Sequence, residues 1–341
     1  KQRSQVKSIQ AGDLAAFVKL KDTHTCDTLS DPKTKLKLPG IDFPAPNLSG
    51  ALKLKSKGEE EKMSLGLSTL HEEDPTFIYR PDPELHQTLI FGQGELHLQI
   101  ITERLKSRFQ VEVELVQPKI PYRETIRKKG ESKYRHKKQT GGAGQFAGVN
   151  GSVEPLPLDN EEGFEFVNKI FGGSIPSEHV PACEKGFRDV MEKGPLAAFP
   201  MVNIRVTLNE GKYHEVDSSD LAFQLASRYA MRQAVEKADP VLLEPVMKVE
   251  IETPSEFQGS VIGDLSSRRG VIYGTEMKGD ETVINSGVPL GEMFGYATTL
   301  RSMTEGKANY TMEFEKYSEC PKFVQEKVIK ERQERLKEND D

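Results

Sequence analysis

Tryptophan is absent from the 341 residues, and cysteine appears three times, as Cys26, Cys183 and Cys320. An odd number of widely spaced cysteines, with no CxxC pair among them, excludes a disulfide framework, a zinc ribbon and a redox couple. The setting expected from this is reducing and cytoplasmic. No apolar run approaches the ~18 residues of a membrane-spanning helix, and no charged-then-apolar leader is visible. No serine or cysteine stands in a recognisable base-and-orienter set, so covalent catalysis has no candidate nucleophile. What remains is a charged, globular composition of 36 % hydrophobic and 29 % charged residues with formal net charge −6. Such a length calls for two or three domains. Lys1 sits in a strand-like pattern, which implies a natural start further upstream.

Three proline-punctuated stretches divide the chain and read as joints: "PGIDFPAPN" (39–47), "QPKIPY" (117–122) and "DPVLLEP" (239–245). Between the first two lies a βαββαβ order: "ALKLKS", a helix with Met63, Leu67 and Leu70 on one face, "TFIYR", "QTLIF", a helix from Gly94 with Leu96, Ile100, Ile101 and Leu105 aligned, and "VEVEL". The same order returns after the third joint, from "VMKVEIET" to "ANYTMEFEKY". Split βαβ units of this kind make a sheet with helices on one face. Residues 1–38 read as strands at the end of a β-barrel. Residues 322–338 read as a charged helix that docks through Phe323, Val324 and Val328.

The middle segment is mixed, with strands expected near 120–128, 146–155, 163–170 and 199–208 and helices near 177–193 and 218–237. Asp217 is positioned to cap the last helix, with Asp220 three residues on. Arg127, Lys128, Lys129, Lys133, Arg135, Lys137 and Lys138 crowd into twelve residues against one acid, Glu131. With screening over ~8 Å, distant acids do little to cancel this patch. A phosphate backbone is its natural partner. The patch leads into "GGAGQ", where Gly141, Gly142 and Gly144 remove side chains and let main-chain amides approach a crowded surface. Gln145 is the sizeable hydrogen-bonding side chain at that turn, suited to testing the shape of an RNA minor groove. His214 lies in "NEGKYHEVDSS", another loop between a strand and a helix.

The runs "FGQGELHLQIITERLKSRFQVEVELVQPKIPYRETI" (91–126), "QTGGAGQF", "EVDSSDLAF", "ADPVLLEPVMKVEIETP", "VIGDLSSRRG" and "PLGEMFGYATTLRS" resemble, in order, signatures of the bacterial translation elongation factor G family. The resemblance implies an α+β multidomain fold: residues 1–38 end a β-barrel domain II, 42–116 form a ferredoxin-like domain III, 117–244 with 322–338 form a mixed α/β domain IV of ribosomal-protein-like fold, and 245–321 form a ferredoxin-like domain V. It implies a monomer whose partners are ribosomal RNA and the transfer RNA–messenger RNA pair at the decoding region. The site residues carried over are Gly141, Gly142, Gly144, Gln145 and His214 at the end of domain IV. The stem cations Lys133, Arg135, Lys137 and Lys138 accompany them, and Arg268 and Arg269 are expected to face large-subunit RNA. Ala143 stands where family members often place arginine, and "AGVNG" follows Phe146, which resembles a divergent or second-copy branch.

A translational GTPase needs a GxxxxGK[ST] phosphate loop, and no such string occurs. GTP and magnesium are therefore expected only of a complete factor, with no cofactor, metal or catalysis in this chain. Two alternatives remain open here. One is a ribosome-protection or ribosome-recycling factor on the same scaffold. The other is a metal-dependent hydrolase using His214, Glu215, Asp217 and Asp220.

Overall fold

The computed structural model describes residues 4–44, 46, 48–138, 144–157 and 163–338. The chain divides into two units, Lys1–Lys119 and Ile120–Asp341. In the first, β1 (Leu48–Leu54), α1 (Glu60–Glu73), β2 (Ile78–Asp82), β3 (Gln87–Gly92), α2 (Glu95–Phe109) and β4 (Val113–Val116) follow the expected βαββαβ order. Their sheet is antiparallel throughout, ordered β2-β3-β1-β4. Met63, Leu67 and Leu70 of α1 pack with Leu98, Ile101 and Leu105 of α2 over Leu52 and Ile90. The α2 stripe differs from expectation: Leu96 and Ile100 are 70 % and 38 % exposed. Leu98 supplies the i, i+3, i+7 row with Ile101 and Leu105, and at ~3.6 residues per turn Leu96 falls on the far side.

The described residues of 4–44 contain no strand or helix, so the barrel strands expected of 1–38 are absent among the described residues. A strand without neighbours has an unpaired backbone and an unburied face, and Leu14 and Val18 are accordingly exposed. The segment meets α1 where Thr25 Oγ1 donates to Glu72 O at 3.0 Å.

The second unit opens with β5 (Arg123–Ile126), β6 (Gly130–Lys138), β7 (Gln145–Pro155), β8 (Phe164–Asn168), α3 (Val180–Met191), β9 (Ile204–Lys212) and α4 (Asp220–Lys237). Four of these strands form a sheet ordered β6-β7-β9-β8, with β8 and β9 parallel. Helices α3 and α4 cover one face: Phe187, Phe223, Ala226 and Ala230 pack on Ala147, Val149, Val206 and Leu208. Ser219, not Asp217, caps α4, accepting from Ala222 N at 3.3 Å.

The chain continues with β10 (Pro240–Pro254), α5 (Gln258–Ser267), β11 (Val271–Lys278), β12 (Glu281–Pro289), α6 (Tyr296–Met303), β13 (Asn309–Glu319) and α7 (Lys322–Glu338). Its sheet order, β11-β12-β10-β13, repeats the topology of the first unit. The "DPVLLEP" stretch, read as a joint, is instead the start of β10. Pro240–Leu243 pair with β5, and pairing with β12 begins only at Val246. Pro245 thus precedes the point where a second neighbour would require its missing N–H. Helix α7 docks through Val324, Val328 and Ile329 on Ala197, Phe199 and Leu242, whereas Phe323, expected to dock, is 66 % exposed. Among the described residues no helix is long and apolar enough to cross a membrane.

Glu124, fully buried on β5, fastens the α3–β9 connection on which α7 sits. Its carboxylate accepts from Leu196 N and Ala197 N, each at 2.9 Å, and from Phe199 N at 3.1 Å. Burial raises its pKa, and the three amides offset part of that rise. Glu124→Ala strands three donors and is expected to lower the unfolding free energy by about 3 kcal/mol; urea denaturation measures it, and a loss below about 1 kcal/mol would contradict this anchoring.

Candidate nucleic-acid interface

Strand β6 carries the cationic run at the edge of its sheet. Period-two alternation puts Lys133, Arg135 and Lys137 on the face away from the helices, all exposed, while Ser132, Tyr134 and His136 turn toward α4. Tyr134 stacks on Tyr229 of α4, ring centroids 5.1 Å apart. This strand was not among those expected, because its inner residues are polar or aromatic and give no apolar alternation.

Register assembles the outer face further. Lys133, Arg135 and Lys137 stand opposite Asn150, Gly148 and Phe146 of β7, and Gly148 stands opposite Lys212 of β9. A Cβ on Gly148 would lie 2.8 Å from Lys212 Cβ. The bare backbone at Gly148 therefore lets Arg135 and Lys212 flank a strip without a side chain between them. Glu210 is the acid nearest in register, and Asn150 Nδ2 donates to its Oε2 at 2.9 Å. Lys133, Arg135, Lys137, Lys138 and Lys212 form no ion pair among the described residues. At the other end of β6, Arg127 pairs with Glu319 at 2.8 Å and Lys129 with Glu131 at 2.9 Å. Arg127 and Lys129 are thus paired, while Lys128 and the cations of the run from Lys133 onward form no ion pair among the described residues.

At that end β7 begins and the 213–219 loop crosses it. Gly144 N donates to Asp217 Oδ1 at 2.9 Å, Phe146 N to Asp217 O at 2.8 Å, and Ser218 Oγ to Phe146 O at 2.7 Å. His214 N donates to Ser218 Oγ at 2.9 Å, and its ring lies 6.1 Å from that of Phe146. Gln145 and His214 therefore flank Phe146 at one end of the sheet, joined through Asp217 and Ser218. Gly141, Gly142 and Ala143 lie outside the described residues.

Hydrogen bonding sets what these two side chains offer. His214 Nδ1 accepts from Val216 N and Asp217 N at 3.3 and 3.2 Å, which assigns the proton of the neutral ring to Nε2. The 3.7 Å approach of Asp217 Oδ2 to Nδ1 is then not an ion pair. The half-exposed ring presents an Nε2–H donor. His136 Nε2 donates to Gln145 Oε1 at 3.0 Å, which leaves the Gln145 amide hydrogens as donors. His214 stands by Phe146 on the side of Lys137, Arg135 and Lys212, and Gln145 lies with His136 and Lys138 on the other side of the same strand ends. Donors and unpaired cations at one end match acceptors such as phosphate oxygens and 2′-hydroxyls.

Other expected roles are revised. Asp217 holds the Gly144 amide, and Asp220 accepts from His179 Nδ1 at 2.6 Å, so the ligand set of the metal-dependent alternative does not converge; no such cluster exists among the described residues. Arg268 donates to Asp264 Oδ2 at 2.8 Å, Glu292 O at 2.6 Å and Thr299 Oγ1 at 3.2 Å. Arg269 donates to both Glu244 oxygens at 2.6 and 2.9 Å and to Glu292 Oε1 at 2.9 Å, and these carboxylates raise its pKa further. Guanidinium groups engaged in this way hold α5 to β10 and α6. "GQGEL" is no phosphate cradle either: Gln93 N donates to His97 Nδ1 at 3.1 Å, and no lysine follows.

Three consecutive family profiles match the chain: Elongation Factor G, domain III, over 43–117; Elongation factor G, domain IV, over 118–239; and Elongation factor G C-terminus over 241–328. The chain belongs to the elongation factor G family. It is 49 % identical to Elongation factor G of Aquifex pyrophilus over 332 residues, 97 % of this chain and 47 % of that protein. It therefore spans about half the length of that relative. A crystal structure from Thermus thermophilus superposes with TM-score 0.75 at 40 % identity, over 87 % of this chain and 44 % of that one. The cationic face and the joined loops thus fall within the stretch matching elongation factor G domain IV.

Asp217→Ala removes the acceptor of the Gly144 amide without disturbing the Ser219 cap. Amide exchange at Gly144 is expected to accelerate at least about 10-fold with global stability changed by less than about 1 kcal/mol; unchanged exchange would contradict the proposed junction.

Proposed function

We propose that this chain is the C-terminal half of a translation elongation factor of the G type, acting in the cytoplasm in GTP-dependent movement of transfer RNA and messenger RNA on the ribosome. GTP hydrolysis belongs to the rest of the factor, since these residues hold no phosphate loop. The end of domain IV carrying Gln145 and His214 contacts the codon–anticodon duplex. The unpaired cations Lys133, Arg135, Lys137, Lys138 and Lys212 neutralise ribosomal or transfer RNA phosphates beside it.

The observation that carries this reading is the meeting, at one end of the sheet, of two fixed donors, Gln145 and His214, with the end of an unpaired cationic strand. Phosphate contacts position a protein on RNA, and donors at base edges or 2′-hydroxyls test duplex geometry. An element that holds a duplex without reading sequence needs this combination. Gly141 and Gly142 belong to the same proposed contact.

In the full-length factor, Gln145→Ala with His214→Ala is expected to slow transfer RNA movement about 10-fold or more while ribosome-stimulated GTP turnover changes less than about 2-fold. Stopped-flow measurement of movement beside phosphate release checks it. Equal loss of both rates, or unchanged movement, would contradict the role.

A further inference from the structure

The β8–α3 connection, residues 169–176, runs along the same end of the domain IV sheet. Lys169 N donates to Leu208 O at 2.9 Å, extending the parallel pairing beyond β8. Further on, Gly211 N donates to Ser174 Oγ at 3.3 Å, and Ile175, 2 % exposed, occupies the space a Cβ on Gly211 would need. The connection is therefore fastened along β9 from Leu208 to Gly211, next to Lys212. Ile170 and Ile175 both pack on the core, and Ile170 N donates to Asn168 Oδ1 at 3.0 Å.

Between these anchors stand Phe171, Gly172 and Gly173. The glycines take φ of +67° and +69°, with open space where a Cβ would sit, a conformation that L side chains rarely adopt. Phe171 is 94 % exposed and makes no ring contact with another described residue. Tyr213, by contrast, lies 6.3 Å from the His179 ring. A large apolar ring held out in water by a turn pinned on both sides has no folding role here, since a polar residue would satisfy the same turn.

We propose that Phe171 is a stacking platform for an unpaired nucleobase of RNA, with Lys169 and Lys212 taking the flanking phosphates. This rests on the RNA-facing role proposed for this end of domain IV. Charge decides for RNA over an apolar protein pocket: Lys169 and Lys212, on either side of the connection's attachment, form no ion pair among the described residues. Aromatic faces interleaved with such cations are the means by which single-stranded nucleic acid is bound without sequence preference.

The test uses the 341-residue chain, which lacks tryptophan, so that Phe171→Trp emission reports this position alone. The probes are a single-stranded RNA of about 12 nucleotides and the same sequence as a blunt duplex. Emission is expected to be quenched by the single strand and little changed by the duplex, whose bases are already stacked. Phe171→Ala and Phe171→Leu are both expected to weaken single-strand binding about 10-fold, because leucine keeps apolar bulk without a π face. A blue shift without quenching, unchanged emission, or a leucine variant that binds like the parent would overturn the inference. Lys137→Gln separates the two readings. If it weakens binding while the Phe171 variants do not, stacking falls and the RNA face stands; if none of them weakens binding, both fall.

Discussion

Lys133, Arg135 and Lys137 share one face of one strand with no acid opposite. Positions i and i+2 on a strand are ~7 Å apart, inside the ~8 Å screening length at physiological salt. Like charges at that spacing repel in the free protein. The fold accepts the cost at this end of β6 and removes it at the other, where Arg127 and Lys129 meet Glu319, Glu131 and Glu154. A polyanion laid along the unpaired half converts the repulsion into attraction and releases its own counterions.

Much of the surrounding structure keeps that face uncovered and fixed. Tyr134 and His136 turn inward to Tyr229 and Gln145, so the cations cannot rotate to the helix side without a register slip that would expose both. Helices α3 and α4 occupy the opposite face. Below the sheet, β10 is one continuous strand whose first residues pair with β5 and whose remainder pairs with β12 and β13. Arg269 bridges Glu244 of that strand to Glu292. β5, which leads into the domain IV sheet, is thereby a strand of the C-terminal module's own sheet, and the largely buried Arg269–Glu244 pair fastens that sheet's central strand to the end of α5.

The two βαββαβ modules were legible because their strands alternate and their helices carry apolar stripes. Where the stripe was ambiguous, as in α2, the sequence placed Leu96 and Ile100 inside and the fold chose Leu98. Strand β6 escaped notice since Ser132, Tyr134 and His136 give no apolar signal. Asp217 and Ser219 are both plausible caps by type; Ser219 caps because the Asp217 carboxylate is drawn to Gly144, a contact across 73 residues that no local pattern encodes. The partners of Arg269 are equally non-local, its acids lying in β10 and before α6, whereas the Asp264 partner of Arg268 stands four residues earlier on α5. Gln145 and His214 could be brought together from the sequence only through resemblance.

The central claim is electrostatic, and the salt dependence of ribosome binding tests it most directly. Each phosphate neutralised contributes about 0.7–0.9 to the slope of log affinity against log salt. Replacing Lys133, Arg135 and Lys137 together by glutamine is predicted to flatten that slope by about 2 to 3. A slope identical to that of the parent chain would show that these cations meet no phosphate, and the assignment of this face to RNA would be wrong.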